Sequence, residues 1–388
     1  MKKNIVMLII IMMVCTTWVS YAYESHFGPA GFVYYDANEV YKGYTLFATR
    51  GKSYLIDMEG NLINTWPIGT NPRFLSNGNL LDASKDDPSG YEGFIEMNWV
   101  GNVIWKYQET REDYFPHHDF IRIYNKALNE PTTLYIANRN LTHEQCIEAG
   151  CDPEKGPYHG AQMDAVIEVD MQGNIIWEWW FFDHLIQDSV PNKDNYVGNK
   201  KISDYPGKLN INLPGCPVKK DWLHINSLDY NSKTGHIVLN SVQGEIYIID
   251  HDGTFEANHL EKSLSMAAGD AGDFLYRFGD PPRYGQGDSP NIMEDWTKST
   301  TGQKQIGGSH DVQFIDEELP GAGNLLVFNN GQYLFERTPQ SYVMEINPYL
   351  SGNGINDKYV NPPDAGYGKL TFDKDSHKEA RDLSNQVI

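Results

Sequence analysis

The feature that most constrains this chain is a strand–turn–strand unit that returns along its length. An apolar strand ends near an acid, a Gly-Asn pair follows, and a second strand carries an aromatic residue. It reads Tyr54-Leu55-Ile56-Asp57, then Gly60-Asn61-Leu62-Ile63-Asn64-Thr65-Trp66. It returns as Phe94-Ile95-Glu96 with Gly101-Asn102-Val103-Ile104-Trp105, and as Val166-Ile167-Glu168 with Gly173-Asn174-Ile175-Ile176-Trp177. A looser copy joins Tyr247-Ile248-Ile249-Asp250 to Asp273-Phe274-Leu275-Tyr276, and another begins at Val343-Met344-Glu345. Gly-Asn between two apolar runs signals a tight hairpin, because both residues tolerate positive φ.

A second repeat interleaves with the first. A histidine opens a strand-like segment in His118-Asp119-Phe120, His224-Ile225-Asn226-Ser227 and His310-Asp311-Val312-Gln313. Each copy is followed by another apolar run: Thr133 to Asn138, His236 to Ser241, Asn324 to Asn329. Together the two repeats give units of four antiparallel strands, about 40 residues each, which is the signature of a β-propeller. The fold class expected is therefore all-β. The high content of Trp (9), Tyr (24), Gly (35) and Pro (20) agrees with many short strands and turns. Spacing grows toward the C-terminus, so long insertions are expected at Asn140–Gly160, His184–Asp221 and Asp280–Ser309. The last residues, Ser384 to Ile388, read as the start of another outer strand. The reading is a propeller incomplete at the C-terminus.

Residues 1–22 read as a signal peptide, with Lys2-Lys3, an apolar core from Ile5 to Val14, and small residues at Ser20 and Ala22. The propeller then occupies 23–388, exported to the periplasm or secreted, and no transmembrane segment is expected. Formal net charge is −21. Such a surface repels nucleic acid and anionic lipid. Three cysteines follow the leader: Cys146, Cys151 and Cys216. Cys146 and Cys151 are the favoured disulfide, with pairing to Cys216 or no pairing as the alternatives.

Inner propeller strands line a central channel, so the repeated histidines are expected to converge. Asn226, two residues after His224, falls on the same side, and His117 is expected to face away from His118. Four chemistries use such a set. Three histidines suit zinc. A neutral imidazole also serves as a nucleophile toward sulfur or phosphorus, with neighbouring donors holding the oxygens. The remaining readings are a binding site without chemistry and a water-filled polar channel.

Several segments decide among these by resemblance. They are Arg139-Asn140-Leu141-Thr142-His143-Glu144-Gln145, Ala149-Gly150-Cys151-Asp152-Pro153, Asp183-His184-Leu185-Ile186-Gln187-Asp188, Asp221-Trp222-Leu223-His224-Ile225-Asn226-Ser227 and Leu275-Tyr276-Arg277-Phe278-Gly279. With Ser309-His310-Asp311-Val312-Gln313-Phe314 and Leu326-Val327-Phe328-Asn329-Asn330-Gly331, their order and number resemble the bacterial aryl-sulfate sulfotransferases. The resemblance implies six blades and transfer of a sulfuryl group from a phenolic sulfate to a phenol. It implies no nucleotide sulfate donor, no other cofactor and no metal. The route is ping-pong through a sulfated histidine. By position His310 is the nucleophile, His118 and His224 hold the sulfate, and Asn226 is the amide donor. The expected partners are a phenolic sulfate and a phenol, with a second copy of the chain and a disulfide-forming oxidoreductase as further candidates.

Two departures bear on activity. The family carries a Ser-Arg pair after the His-Ile-Asn-Ser strand, whereas here it is Ser241-Val242. Valine offers no fork for sulfate oxygens. Arg277, or else Lys304, is the candidate replacement in substrate binding. Ser309 stands where the family commonly has Gln. A catalytically weakened propeller that binds aromatic or sulfated ligands is the alternative reading.

Overall fold

Each Gly-Asn repeat folds into a hairpin for a reason visible at its turn. Asp57 Oδ1 accepts the backbone N–H of Asn61 at 2.7 Å. Asn98 does the same for Asn102 at 2.9 Å, and Asp170 for Asn174 at 2.7 Å. The glycines Gly60, Gly101 and Gly173 sit at φ 80, 85 and 84°. Only glycine enters the left-handed region freely. The asparagines close the loop instead of sharing that conformation, so the acid or amide four residues earlier defines the turn with the glycine.

In this computed structural model the described residues are 35–84, 91–154, 160–213, 220–285, 306–331, 341–348 and 359. The chain divides into two compact units, residues 1–72 and 73–388. The first holds an antiparallel sheet of β1 (Thr45–Thr49), β2 (Lys52–Ile56) and β3 (Leu62–Trp66).

The second unit opens with a four-stranded sheet of β4 (Arg73–Phe74), β5 (Leu80–Ser84), β6 (Gly93–Met97) and β7 (Val103–Gln108). The next contains β8 (Tyr114–Asn125), β9 (Glu130–Leu141), β10 (Ala161–Val169) and β11 (Ile175–Trp180). A short parallel pair, β12 (Leu185–Ile186) with β13 (Leu209–Asn210), lies in the following insertion. Then come β14 (Ile225–Asn231), β15 (His236–Ser241), β16 (Glu245–Asp250) and β17 (Tyr276–Phe278). The last sheet is β18 (Ser309–Phe314), β19 (Leu325–Asn329) and β20 (Tyr342–Ile346). The two α-helices described are short: α1 (His143–Glu148), capped by Thr142, and α2 (Leu260–Ala267).

These are the up-and-down blades of an all-β propeller. Five blades stand among the described residues, where six were expected. The expected truncation falls beyond Pro348, outside the described residues except Tyr359, and the expected leader at 1–22 is also outside them.

The inner strands of the second unit are joined by side chains. Asp119 on β8 pairs with Arg73 on β4 and accepts Leu228 N–H on β14 at 3.0 Å. Ser227 Oγ and Asp229 Oδ2 on β14 accept the Val312 and Phe314 amides of β18 at 2.9 and 2.8 Å. Inner strands do not hydrogen-bond to each other as a ladder, so these side chains satisfy backbone groups that would otherwise be buried unpaired.

Tryptophans tie blade to blade. Trp105 Nε1 donates to Met171 O, Trp177 Nε1 to Thr254 Oγ1, and Trp179 Nε1 to Gly272 O, at 3.0, 3.1 and 2.8 Å. Trp177 and Trp179 are fully buried. Truncating either to alanine costs about 3–5 kcal/mol. Trp180 packs edge-on to Tyr114 of β8.

Candidate functional site

Each histidine motif interrupts its strand. Pairing shifts register between Pro116 and Phe120 on β8, between Ile225 and Ser227 on β14, and between His310 and Gln313 on β18. Such bulges re-aim side chains at functional sites. Their backbone signature is a non-glycine residue at positive φ: His118 at 54°, His224 at 51°, Asp311 at 54°. That conformation costs on the order of 1 kcal/mol or more. In the third copy the strained residue is Asp311, so His310 precedes the kink. The sequence repeat is thus out of step by one residue there.

The kinks bring two imidazoles together. His118 and His224 meet edge to face, with ring centroids 4.6 Å apart. Asp221 Oδ2 lies 2.5 Å from His224 Nδ1. A carboxylate only accepts, so the ring proton is on Nδ1, as in an Asp–His dyad. The Asp221 backbone is itself held against β10 by a bridge to Gln162.

His117 does not turn away, contrary to the strand-alternation expectation. Within the bulge its Nδ1 lies 2.7 Å from His118 Nδ1, with the rings perpendicular. Its Nε2 lies 3.1 Å from Asp164 Oδ1 on β10. Asp164 is fully buried, and burial raises its pKa against the lowering effect of His117. Burial, then the charges of His117 and His224, push His118 down to about 3, with a smaller contribution from His310. His118 is therefore neutral at physiological pH, and all these rings share one electrostatic field. Neither Asp164 nor Asp221 stood out in the sequence, and in both cases only the fold supplies the pairing.

His310 is exposed on β18. Its Nδ1–H donates to Gly308 O at 2.9 Å, which leaves the lone pair on Nε2. Asn330 Nδ2 donates to the same carbonyl at 2.8 Å. A backbone relay links the second and third motifs. Val242 N–H donates to His224 O at 3.1 Å, and Gly308 N–H donates to Val242 O at 3.0 Å. The peptide of Val242 therefore spaces the two histidine segments, although its side chain replaces the family's arginine.

Two of the expected substrate contacts are placed otherwise. The amide of Asn226 is buried; Nδ2 donates to Ser309 O at 2.8 Å, and Oδ1 accepts from Asn240 Nδ2 at 2.7 Å. Ser309 Oγ donates to Asn240 Oδ1 at 2.7 Å. Asn226 thus anchors the residue before His310 in place of presenting its amide to a ligand. The serine that departs from the family pattern is part of that lock.

Arg277, expected as a substrate contact, lies in the core. It is fully buried, with Nε donating to Glu245 Oε1 and Nη1 to Lys208 O, both at 2.7 Å. The pair is buried in the core, and Nη2 of the same guanidinium has no hydrogen-bond partner there among the described residues. Lys304 and Cys216 lie outside the described residues. Cys146 and Cys151 are buried free thiols whose segments are joined by the Cys151 N–H donating to Cys146 O at 3.0 Å, so the expected disulfide is not formed here.

A cavity of about 350 Å³ lies along the later parts of β8 and β14, lined by Arg73, Arg122, Tyr124, Asp229 and Tyr230 among others. None of His117, His118, His224 and His310 lines it. Among the described residues no three His, Cys, Asp or Glu side chains are grouped as metal ligands, and no helix is long and apolar enough to cross a membrane.

The family model for arylsulfotransferase (ASST) matches residues 36–348. No curated protein matches the sequence. Among solved structures, BamB from Moraxella catarrhalis is similar at 9% identity and TM-score 0.30, covering 82% of this chain and 61% of that one. The Cps50 (Swd1) β-propeller domain of Myceliophteria thermophila is similar at 10% identity and TM-score 0.33, with 80% and 64% covered. Sqt1 of Saccharomyces cerevisiae gives 11% and 0.34, with 81% and 56% covered. The chain spans less than two thirds of the length of each.

Proposed function

Since the chain belongs to the arylsulfotransferase family, we propose that it moves a sulfuryl group from a phenolic sulfate ester to a phenol through a sulfated His310. The observation that carries this reading is the fixed tautomer of His310. Its Nδ1 proton is held by Gly308 O, so Nε2 carries the lone pair that attacks sulfur. The aryl oxygen leaves as the N–S bond forms. His118 and His224 then serve the oxygens. His224 takes up or gives a proton at Nε2 while Asp221 stabilises its imidazolium, and His118 exchanges a proton with the phenol oxygen. A phenol acceptor reverses the sequence. The protein works after export, as its leader implies.

Protein mixed with an aryl sulfate and no acceptor gives, on this reading, a stoichiometric release of phenol and an adduct of one sulfuryl group by mass spectrometry. His310→Ala abolishes both. Absence of adduct and of phenol release in the wild type would sink the proposal.

One observation favours a second reading, a propeller that binds sulfated aromatics with little turnover. The buried Arg277 does not replace the guanidinium lost at Val242. A missing oxyanion donor costs roughly 2.7–4 kcal/mol of transition-state stabilisation.

A further inference from the structure

We propose that Asp164 and His117 are positioning residues that set and replenish the proton on His118, making the three side chains a relay between the phenol oxygen and a buried carboxylate. The inference rests on the sulfuryl-transfer reading and names how its proton is handled.

The geometry is linear in its connections. Asp164 Oδ1 contacts His117 Nε2 at 3.1 Å, and His117 Nδ1 contacts His118 Nδ1 at 2.7 Å. Two Nδ1 atoms that close require one donor and one acceptor. Asp164 Oδ1 is the ionic partner of His117 Nε2, and with the Nε2 proton on that side two arrangements of the Nδ1 pair remain. In the loaded one, His117 carries protons on both nitrogens and donates Nδ1–H to His118 Nδ1, so His118 holds its proton on Nε2. In the unloaded one, His118 donates Nδ1–H to His117 Nδ1, and the lone pair is on His118 Nε2. Asp164 lets one proton reside on His117 without leaving an uncompensated buried charge.

The other groups facing this line are few. The Ile225 amide also faces Asp164. His224 and Asp221 approach His118 from the start of β14, and His310 acts on it from β18. His118 itself is held neutral by burial and by these rings, so it passes a proton on but does not store one.

The steps balance. In the donor half-reaction the His310 Nε2–S bond forms and the S–O(aryl) bond breaks, leaving the electron pair on the phenol oxygen. That oxygen takes the Nε2 proton of His118, and His118 regains one at Nδ1 from His117. In the acceptor half-reaction a phenol O–H gives its proton to His118 Nε2 as the O–S bond forms and the S–N bond breaks. The proton returns through Nδ1 to His117, with no net change over a cycle.

The test uses the full chain with Asp164→Asn and His117→Gln. Single-turnover phenol release is measured with aryl sulfates whose leaving phenols range from nitrophenol to unsubstituted phenol. A good leaving group needs little protonation and a poor one needs much. Both variants are expected to steepen the dependence of rate on leaving-group basicity, with a loss on the order of 10²-fold at the unsubstituted phenol. In parallel, ¹⁵N-histidine NMR of the substrate-free protein reads the His118 tautomer, which Asp164→Asn is expected to change. A uniform loss across the series overturns the relay, as does no loss at all. So does an unchanged His118 spectrum in Asp164→Asn. Wild-type protein that releases no phenol defeats the transfer reading instead, and the NMR comparison then decides tautomer control alone.

Discussion

The imidazole of His118 stands edge-on to that of His224, ring centroids 4.6 Å apart and planes 71° to one another. One ring is backed by His117 and Asp164, the other by Asp221. Two histidines from different blades thus reach one point with different proton supplies. Environments that differ in this way separate acid from base roles.

Asp221 is the simpler of the two supports to remove. Asp221→Asn keeps the shape but lets the amide N–H face His224 Nδ1, selecting the wrong tautomer. Turnover is expected to fall by about 10²–10³ in kcat with a smaller change in KM. Steady-state kinetics with an unactivated aryl sulfate reads this. Asp221 is partly exposed, so the melting temperature should move little.

Val242→Arg returns a guanidinium to the turn after β15, whose peptide spaces the two histidine segments. The backbone bonds to His224 O and Gly308 N do not involve the side chain and should persist. Turnover is expected to rise by up to about 10²–10³-fold. An unchanged rate with unchanged ligand binding would favour the binding-protein reading.

Asn226→Ala separates anchoring from sulfate binding. Removing the anchor takes one of two donors from Ser309 O, which keeps Asn240 Nδ2, and one contact from Asn240, at about 0.5–1.5 kcal/mol per bond lost. Both stability in urea and kcat should therefore fall. A raised KM at unaltered stability would restore Asn226 to the substrate.

The pH dependence of stability should carry a signature of His251. Burial alone would lower this ring's pKa, but Glu168 at 2.8 Å and Asp252 at 2.8 Å raise it to about 9. A raised folded-state value stabilises fully below the unfolded pKa near 6.5. The contribution, on the order of 3 kcal/mol, fades as pH rises through about 9. Unfolding in urea across pH 6 to 10 should show this loss, and His251→Gln should flatten it.

Cys146 and Cys151 share one core cluster and a backbone hydrogen bond, so mild oxidation should join them with little rearrangement. Closing so short a loop adds about 2 kcal/mol. Peptide mapping without reductant should recover the two cysteines as one linked pair, and a link from either to Cys216 would contradict this.

The strand repeats were legible without a structure because a hairpin is local. Asp57, Gly60 and Asn61 fix their own turn within five residues of chain, and the alternation that follows dictates which face is buried. The same locality flagged His118, His224 and His310, and the order of their motifs identified the family. What the sequence hid is long-range. Asp164 meets His117, and Asn226 meets Ser309, across different strands, and nothing in either segment announces the partner. Alternation also misplaced His117, because a bulge between Pro116 and Phe120 breaks the period of two. Arg277 looked available because an arginine in sequence is a charge with no surroundings. Only the fold sets it beside Glu245 in the core.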